Sequence, residues 1–363
     1  MSPNQAAWSL ASKAKPLVVQ DAPMPKPGPM QVVIQSKVIA LNPVEWKVQD
    51  FDFFHNKYPL IMGADVGGLI EEVGEGISHL HKGQRVIGLA FSHICLSRST
   101  DVTNKGNFDR YCMVLGVNDA RFGAYQRYPL VYETLVSPVP EHMSLTQAVV
   151  LPLAITTAAV SLYHPNHLAF PLPQKDPIRT GKTILIWGGA SSVGATAVQL
   201  AVASGFKVVA TASKRNHDLV YSLGASLVLD YKSETIVDDA VAALEDYDLA
   251  GCYDAISEPQ TLEPLGAILD QLGPHKVCLV VPPTKEVSHN MKWTFSMTFE
   301  IMDDKGKPVG DYIWHKYVPE ALADGRLHPK PDPLVISRGI ETIQDGLNRL
   351  KKGVSAQKLI VEV

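Results

Sequence analysis

Apolar and polar positions follow two different patterns along the chain, and the change falls near residue 145. Before that point the apolar runs are short and are separated by glycine and proline, as at 32–34 and 38–40, which predicts mostly strands and turns. From residue 183 onwards, short apolar runs alternate with stretches of helical spacing, which is typical of a parallel sheet covered by helices. Trp293 and its aromatic neighbours are expected in the core. The chain is therefore predicted to be an α/β protein, with a mostly-β part followed by a doubly wound part.

The clearest single unit is the stretch 182–201. An apolar run of strand length, 184–187, is followed by a turn of small residues and then by apolar positions at helical spacing. Such a turn lets the backbone approach a pyrophosphate, and the free N–H groups at the helix start bind its charge. The usual glycine fingerprint is incomplete, because Ser191 takes the place of its middle glycine. The alternative is an ordinary glycine turn. The residues predicted to line the phosphate are Gly188, Gly189, Ser191, Ser192, Val193 and Gly194.

The end of the next predicted strand, 207–211, indicates which dinucleotide binds. An acidic residue at this place would accept hydrogen bonds from the ribose of NAD, but the chain continues with Ser213, Lys214, Arg215 and Asn216. Cations and hydroxyls suit a 2′-phosphate, so NADPH is the predicted cofactor. The alternative, a solvated helix start, is weaker because cations oppose the helix dipole at an N-terminus unless an anion joins them.

Composition narrows the class of protein. The 363 residues carry a formal net charge of −4 and no long run of like charge, so neither nucleic acid nor an anionic membrane is an expected partner. No apolar stretch is expected to approach the roughly 20 residues that span a bilayer, and residues 1–10 show no secretory signal. The four cysteines, Cys95, Cys112, Cys252 and Cys278, are scattered, which favours a reducing, cytoplasmic location.

A set of motifs spread over essentially the whole chain carries a family resemblance. They are Asn42-Pro43 with Lys47, 63–68 (GADVGG), the turns at Gly74 and Gly83, Gly106-Asn107-Phe108, 151–158 (LPLAITTA) and 188–194. Together they resemble the medium-chain dehydrogenase/reductase superfamily, within it the zinc-free quinone oxidoreductase and fungal trans-acting enoyl reductase branch. The resemblance implies a GroES-like catalytic domain over 1–145, a Rossmann NADP-binding domain over 146–325 and a return of 326–363 to the catalytic domain.

Zinc is not expected. Zinc enzymes of this superfamily have a cysteine after the first strand and a Gly-His-Glu motif, and the corresponding places here resemble Asn42-Pro43 and Gly63-Ala64-Asp65. Tetrahedral zinc sites use cysteine and histidine ligands, and a structural zinc lobe needs four closely spaced cysteines, which this chain lacks. The predicted metal content is therefore none.

The resemblance also implies roles for single residues. Thr157 is expected near the nicotinamide and the substrate, and Lys47 is expected to hold the cofactor ribose or close the cleft rather than donate the proton. Two alternatives stay open: Thr157 bonds back within its helix, and Tyr231 is a packed surface aromatic. Val280 and Val281 follow a strand, where ligands of an open parallel sheet bind. The remaining cofactor contacts that the resemblance implies are Asn42, Val44, Glu45, Trp46, Lys47, Tyr231, Val354 and Ser355.

The expected activity is hydride delivery from NADPH to an activated C=C bond, in an enoyl thioester or an enone. The developing oxyanion needs hydrogen-bond donors, for which Thr157, Lys47 and backbone N–H groups are candidates. The resemblance implies either a small-molecule substrate or one bound to a carrier protein, with a polyketide synthase as partner. Two other functions remain open at this point: a stand-alone quinone reductase and a non-catalytic NADPH-binding protein. The oligomeric state also remains open.

Overall fold

The computed structural model describes residues 3–52, 57–91 and 119–363, so the Gly106-Asn107-Phe108 motif, Cys95 and Cys112 lie outside the described residues. The chain divides into two compact units. Unit 1 comprises Met1–Pro152, Asp332–Val354 and Lys358–Val363, and unit 2 comprises Leu153–Pro331 and Ser355–Gln357. The first division falls after Pro152, where a helix starts, and the second falls after Pro331, just before a strand. Each division lies a few residues beyond the domain bounds of 145 and 325 that were taken from the sequence.

Strands predominate before residue 145, and strands alternate with helices after residue 183. The strands are β1 (Gln5–Ser9), β2 (Val18–Asp21), β3 (Gln31–Ala40), β4 (Leu60–Ile61), β5 (Asp65–Val73), β6 (Arg85–Leu89), β7 (Leu130–Tyr132), β8 (Val136–Pro138), β9 (Thr183–Trp187), β10 (Lys207–Ala212), β11 (Leu227–Asp230), β12 (Leu249–Asp254), β13 (His275–Leu279), β14 (Met291–Phe295), β15 (Asp332–Arg338) and β16 (Gln357–Glu362). The helices are α1 (Pro43–Phe51), α2 (Leu145–Ala148), α3 (Pro152–Tyr163), α4 (Ser192–Ala203), α5 (His217–Ser222), α6 (Ile236–Leu244), α7 (Pro259–Leu272), α8 (Lys307–Tyr312), α9 (Val318–Ala323) and α10 (Ile343–Lys351).

Unit 1 is built on antiparallel strands. Its larger sheet has the order β15-β16-β3-β5-β6-β8, with β7 also on β3, and its smaller sheet has the order β2-β1-β4. Gly68 of β5 lets the long strand β3 come close, because a Cβ there would meet the carbonyl oxygen of Gln35 at 2.0 Å. The C-terminal strand β16 lies antiparallel to β3, so the end of the chain belongs to the sheet of unit 1.

Unit 2 is a doubly wound domain. Its six strands are all parallel in the order β11-β10-β9-β12-β13-β14, and β9 is buried along its whole length. The chain runs from β9 outwards to β10 and β11, then returns to the other side of β9 with β12. Such a reversal of strand order opens a ligand crevice at the carboxyl ends of the strands. The predicted fold class, a mostly-β domain with a Rossmann-type domain, is confirmed.

The apolar segment Leu145–Tyr163 corrects one expectation. It contains α2 and α3, it is 19 residues long with a mean hydropathy of 1.8, and it is long and apolar enough to cross a membrane. The expectation that no apolar stretch approaches that length was therefore wrong. Within the structure 78% of an 18-residue stretch of this segment is buried, as in the core helix of a globular protein. The apolar side chains therefore serve to pack the segment into the protein.

The aromatic residues of β14 correct a second expectation. Trp293 was expected in the core but is 43% exposed. Trp293 shares a face of β14 with the buried Met291, but β14 pairs only with β13 among the described strands and lies at the edge of its sheet, where a large side chain is covered from fewer sides. The buried tryptophans of unit 2 are Trp187, on the central strand, and Trp314, whose indole N–H donates to the hydroxyl of Thr156 at 3.3 Å.

Candidate functional site

The turn between β9 and α4 is shaped to hold a phosphate. Ser191 caps α4, with its hydroxyl oxygen accepting from the N–H of Gly194 at 3.0 Å. Ser192 and Val193, as the first residues of the helix, have no intrahelical acceptor for their N–H groups, and both are only partly buried. Two N–H donors and the positive end of the helix dipole therefore face the same accessible place, which fits an anionic oxygen.

The glycines of this turn leave no room for side chains. A Cβ on Gly194 would lie 2.2 Å from the carbonyl oxygen of Gly188, and Gly188 itself has φ +79°. Thr211, at the end of β10, ties the turn to the sheet: its hydroxyl accepts from Gly188 N at 3.0 Å and its carbonyl accepts from Gly189 N at 2.8 Å. The sequence did not single out Thr211, because a buried threonine in a strand gives no separate signal.

The residues predicted to bind the 2′-phosphate end come together at the carboxyl edge of the sheet. The amide of Asn216 donates to the hydroxyl of Ser213 at 3.1 Å and to that of Ser355 at 3.2 Å, although Ser355 is 139 positions further along the chain. Lys214 and Arg215 are exposed, and within the part of the chain that the structure describes neither makes an ion pair. This edge therefore presents hydroxyl, amide and cationic groups, and the two cations have no ion pair among the described residues.

Tyr231 lies at the same edge. Its neighbour Asp230 is paired in register with Ala212, so Tyr231 and Ser213 follow adjacent strands at the same level. The Tyr231 side chain is 43% exposed, and the ammonium of Lys232 lies 6.0 Å from its ring centroid. The surface position and the cofactor role are both compatible with this exposure, so the role of Tyr231 stays a prediction.

Val280 and Val281 come directly after β13, and the loop that follows β12 is hydrogen-bonded to the first of them. Asp254 is fully buried, and burial raises the pKa of its carboxyl. It accepts from the N–H groups of Ile256 and Ser257, each at 2.9 Å, and the hydroxyl of Ser257 accepts from Val280 N at 2.9 Å. A hydrogen-bonded loop thus holds Val280 at the carboxyl end of the sheet.

Thr157 shows the back-bonding that the sequence left open. Its hydroxyl donates to the carbonyl of Leu153, one turn earlier in α3, at 2.7 Å, and lies 3.2 Å from the hydroxyl of Thr298. The hydroxyl has a single proton, so it donates to a substrate only by giving up the Leu153 bond. Thr157 is 8% exposed, and Thr298 was not singled out by the sequence.

In unit 1, some side chains at the start of α1 lie in the core and others lie at the surface. Asn42 and Glu45 are 3% and 4% exposed and bond within the unit, whereas Val44, Trp46 and Lys47 are partly exposed. The ammonium of Lys47 lies 5.7 Å from the ring centroid of Trp46. Val354 packs against the core of unit 1. The cofactor roles of all these residues stay predictions, but the carboxylate of Glu45 is turned towards the protein interior.

Asn42 and Glu45 belong to a polar network that has three further members, Asp65, Tyr125 and Lys358, and all five are less than 5% exposed. The carboxylate of Glu45 accepts from Asn42 N at 2.6 Å, from Ala64 N at 3.1 Å and from the hydroxyl of Tyr125. Burial raises the pKa of Glu45 to about 7, and these donors oppose the rise. Burial likewise raises the pKa of Tyr125 well above its usual value. Tyr125 and Lys358 carry no motif, and the sequence did not indicate them.

The chain combines an open parallel sheet, whose first turn is suited to a phosphate, with a mostly-β domain. This combination defines the class of dinucleotide-dependent oxidoreductases with a GroES-like domain. Residues 28–141 match the family model described as the alcohol dehydrogenase GroES-like domain. The chain belongs to the medium-chain dehydrogenase/reductase superfamily, as the motifs predicted, and the protein is an oxidoreductase.

Relatives span nearly the whole chain. The trans-enoyl reductase himH of Aspergillus japonicus is 39% identical over 363 aligned residues, which cover 99% of this chain and 97% of that protein. The dehydrogenase orsE of Emericella nidulans is 34% identical, with full coverage of both chains. An alcohol dehydrogenase superfamily protein from Novosphingobium aromaticivorans has the same fold, with a TM-score of 0.75, 23% identity and 99% coverage of each chain.

Proposed function

We propose that this protein is an NADPH-dependent enoyl reductase that acts in trans on a substrate carried by a polyketide synthase. The proposal rests above all on one observation: at the carboxyl edge of the unit 2 sheet, a turn suited to a phosphate lies beside the exposed cationic segment Lys214–Arg215. Similarity to a trans-enoyl reductase over 99% of the chain supports the choice of reaction.

The cofactor site fits NADPH in its chemistry. The pyrophosphate would lie against the N–H groups of Ser192 and Val193, where the Cβ-free Gly194 leaves space. The 2′-phosphate would be bound by Lys214 and Arg215, with hydroxyl donors from Ser213 and Ser355. When bound, NADPH supplies the hydride, and the protein orients the reactants and excludes water.

The reduction needs a donor for the oxyanion that develops on the thioester carbonyl, and a proton for the carbon next to it. Thr157 donates to the oxyanion after exchanging its Leu153 bond, and the nearby hydroxyl of Thr298 is able to accept or donate as that exchange occurs. Water supplies the proton. Lys47 keeps its predicted role of holding the cofactor.

The donor set of unit 1 supports zinc-independent action. The two positions compared with zinc motifs, Asn42 and Asp65, bond each other at 2.9 Å, and Asp65 is 2.9 Å from the ammonium of Lys358. A resident ammonium repels a divalent cation, and an amide is a poor zinc ligand beside the usual cysteine and histidine. Treatment with EDTA is expected to leave turnover unchanged.

The cofactor proposal is tested by titrating the purified protein with NADPH and NADH, following the nicotinamide fluorescence. NADPH is expected to bind at least about tenfold more tightly, since a charge-assisted phosphate contact is worth about 1.5–3 kcal/mol. Equal affinities would contradict the assignment of the cationic segment. Cytoplasmic location belongs to the same proposal.

A further inference from the structure

The cationic segment of unit 2 lies in a short turn that is closed on itself. The turn links Ala212, the last residue of β10, to His217, the first residue of α5. Within it, the backbone N–H of Asn216 donates to the carbonyl of Ser213 at 2.8 Å, and the amide of Asn216 donates to the Ser213 hydroxyl at 3.1 Å. These two bonds join residues 213 and 216, so Lys214–Arg215 lies at the tip of a tight turn.

A histidine ties this turn to the sheet. Nε2 of His217 lies 3.2 Å from the carbonyl oxygen of Ala212. Because a carbonyl only accepts, Nε2 carries the proton and donates it to this bond. Ala212 is paired in register with Asp230 of β11, so its carbonyl belongs to a fixed part of the sheet. The imidazole therefore bonds the start of α5 to the end of β10, across the turn between them.

The ring of His217 is supported in turn by Tyr221, four residues further along α5. The two rings meet edge to face, with centroids 6.5 Å apart and planes at 81°. The hydroxyl of Tyr221 accepts from the N–H of Val228 in β11 at 3.3 Å, so the tyrosine is anchored on the sheet. The partly buried imidazole is thus held by a direct bond to β10 and by a side chain that is bonded to β11.

A fixed turn matters because both cationic side chains are long, exposed and adjacent. A ligand that binds them has to order the side chains, and a mobile backbone would have to be ordered as well, which lowers affinity. A turn that is already held on the sheet presents its cations without that additional entropic cost.

We propose that His217 is a positioning residue for the 2′-phosphate of NADPH: its bond to the Ala212 carbonyl holds the turn 213–216, and with it the cationic segment, in the arrangement that binds the phosphate. The inference rests on the proposed function, which assigns the 2′-phosphate to Lys214–Arg215. It makes the preference for NADPH over NADH depend on a residue that acts through the cations rather than on the phosphate. All of these groups belong to unit 2.

The test replaces the imidazole in two ways. His217→Phe keeps a ring beside Tyr221 and removes the donor, whereas His217→Gln keeps an N–H donor at the place of Nε2. Fluorescence titration of His217→Phe is expected to show NADPH bound about five- to tenfold more weakly and NADH unchanged, as for one lost hydrogen bond. In His217→Gln the affinity for NADPH is expected to return to within about twofold of that of the unaltered protein.

His275→Phe is the matched control. Nδ1 of His275 also lies near a backbone carbonyl, that of Gly273, at 3.0 Å. His275 begins β13 and so lies at the amino edge of the same parallel sheet, away from the cationic segment. This variant is expected to bind both cofactors as the unaltered protein does.

A further variant separates positioning from direct contact with the phosphate. When His217→Phe is added to Lys214→Ala with Arg215→Ala, no further loss of NADPH affinity is expected, because the imidazole acts through the two cations. The same loss in both backgrounds would overturn the inference, as would equal weakening of NADPH and NADH. Unchanged NADPH binding in His217→Phe, a His217→Gln variant as weak as His217→Phe, or a His217→Phe variant that does not fold would also overturn it. Failure of the proposed function differs, because the unaltered protein would then bind NADPH no more tightly than NADH.

Discussion

The phosphate turn of unit 2 and the buried network of unit 1 are built in opposite ways. The turn is a local structure of small residues over 188–194, and its binding groups are backbone N–H donors. The network is made of side chains from positions 42 to 358, and its members face one another rather than solvent. The proposed binding by the turn therefore depends on the absence of large side chains, whereas the network holds the start of α1 through paired side-chain charges and hydrogen bonds.

The largest effect is expected from filling the turn. Gly194→Val places side-chain atoms where even a Cβ would lie 2.2 Å from the carbonyl oxygen of Gly188, so the turn must shift. Binding of NADPH, measured by fluorescence titration, is expected to weaken at least about 100-fold, because the N–H donors lose their alignment. Gly28→Ala is the control: the nearest neighbour of the new Cβ is the flexible end of Gln31, at 3.2 Å. Unchanged binding in Gly194→Val would show that the turn does not hold the cofactor.

The next effect concerns the choice of cofactor. Removing both cations in Lys214→Ala with Arg215→Ala is expected to raise the KM for NADPH about 100-fold and to leave the KM for NADH nearly unchanged, because only NADPH carries the 2′-phosphate. Steady-state kinetics with both cofactors measure this. Lys276→Ala, which removes an exposed cation from β13, serves as the control. A parallel rise for both cofactors would mean that the two cations support the fold or the pyrophosphate instead.

The network is expected to make stability depend on pH. Burial raises the pKa of Glu45 from 4.5 to about 7, so between these values the unfolded chain releases a proton that the folded chain keeps. The free energy of unfolding therefore falls by about 3 kcal/mol as pH rises through this window, and this contribution is flat above it. The groups that face this carboxyl are Asn42, Asp65, Tyr125 and Lys358.

Urea unfolding at several pH values checks this slope. In Glu45→Gln this contribution is absent, so the free energy of unfolding of the unaltered protein minus that of the variant should fall by about 3 kcal/mol as pH rises from 4.5 to 7, and should be constant above pH 7. Glu234→Gln, which alters an exposed glutamate, is expected to follow the unaltered protein. If the difference in the free energy of unfolding stays constant from pH 4.5 to 7, Glu45 does not titrate in this range and the prediction is wrong.

The smallest effect is expected at Thr157. Thr157→Val keeps the shape and removes the hydroxyl, so kcat should fall about tenfold while NADPH binding is unchanged, as for the loss of one neutral hydrogen bond worth about 1–1.5 kcal/mol. Ser161→Ala is the control one turn further along α3: it removes a hydroxyl that donates to Thr157 O at 2.8 Å and lies 2.7 Å from Ser296 Oγ. Equal losses of kcat in both variants would assign Thr157 to helix packing rather than to the reaction.

These two regions also show what the sequence was able to predict. The turn is local, so the spacing of 184–187, 188–194 and the helix after it predicted the strand-turn-helix unit of unit 2, and the phosphate site assigned to this turn stays a prediction. The partners of Asn42 come from residues 65 and 358, and only the pairing of β3 with β5 and β16 brings them together. Long-range register of this kind leaves no mark on a single stretch of sequence, so Tyr125 and Lys358 went unnoticed.

Burial and edge position account for the other differences. Trp293 looked like a core residue because an aromatic in an apolar strand usually packs, but an edge strand has an unpacked side. Thr157 was predicted from its motif, yet its bond to Leu153 depends on the local helix geometry and its neighbour Thr298 on the path of a distant segment. Motifs thus located the residues, and the structure supplied their partners.

The most direct test of the central claim is the oxidation of NADPH by the purified protein with an enoyl-pantetheine thioester, followed by the loss of nicotinamide absorbance. A free enone, a small quinone, NADH and an EDTA-treated sample are measured beside it. We expect turnover of the thioester with NADPH, little turnover of the free enone and the quinone, and no effect of EDTA. Turnover of the small quinone without any of the thioester, or a preference for NADH, would contradict the account.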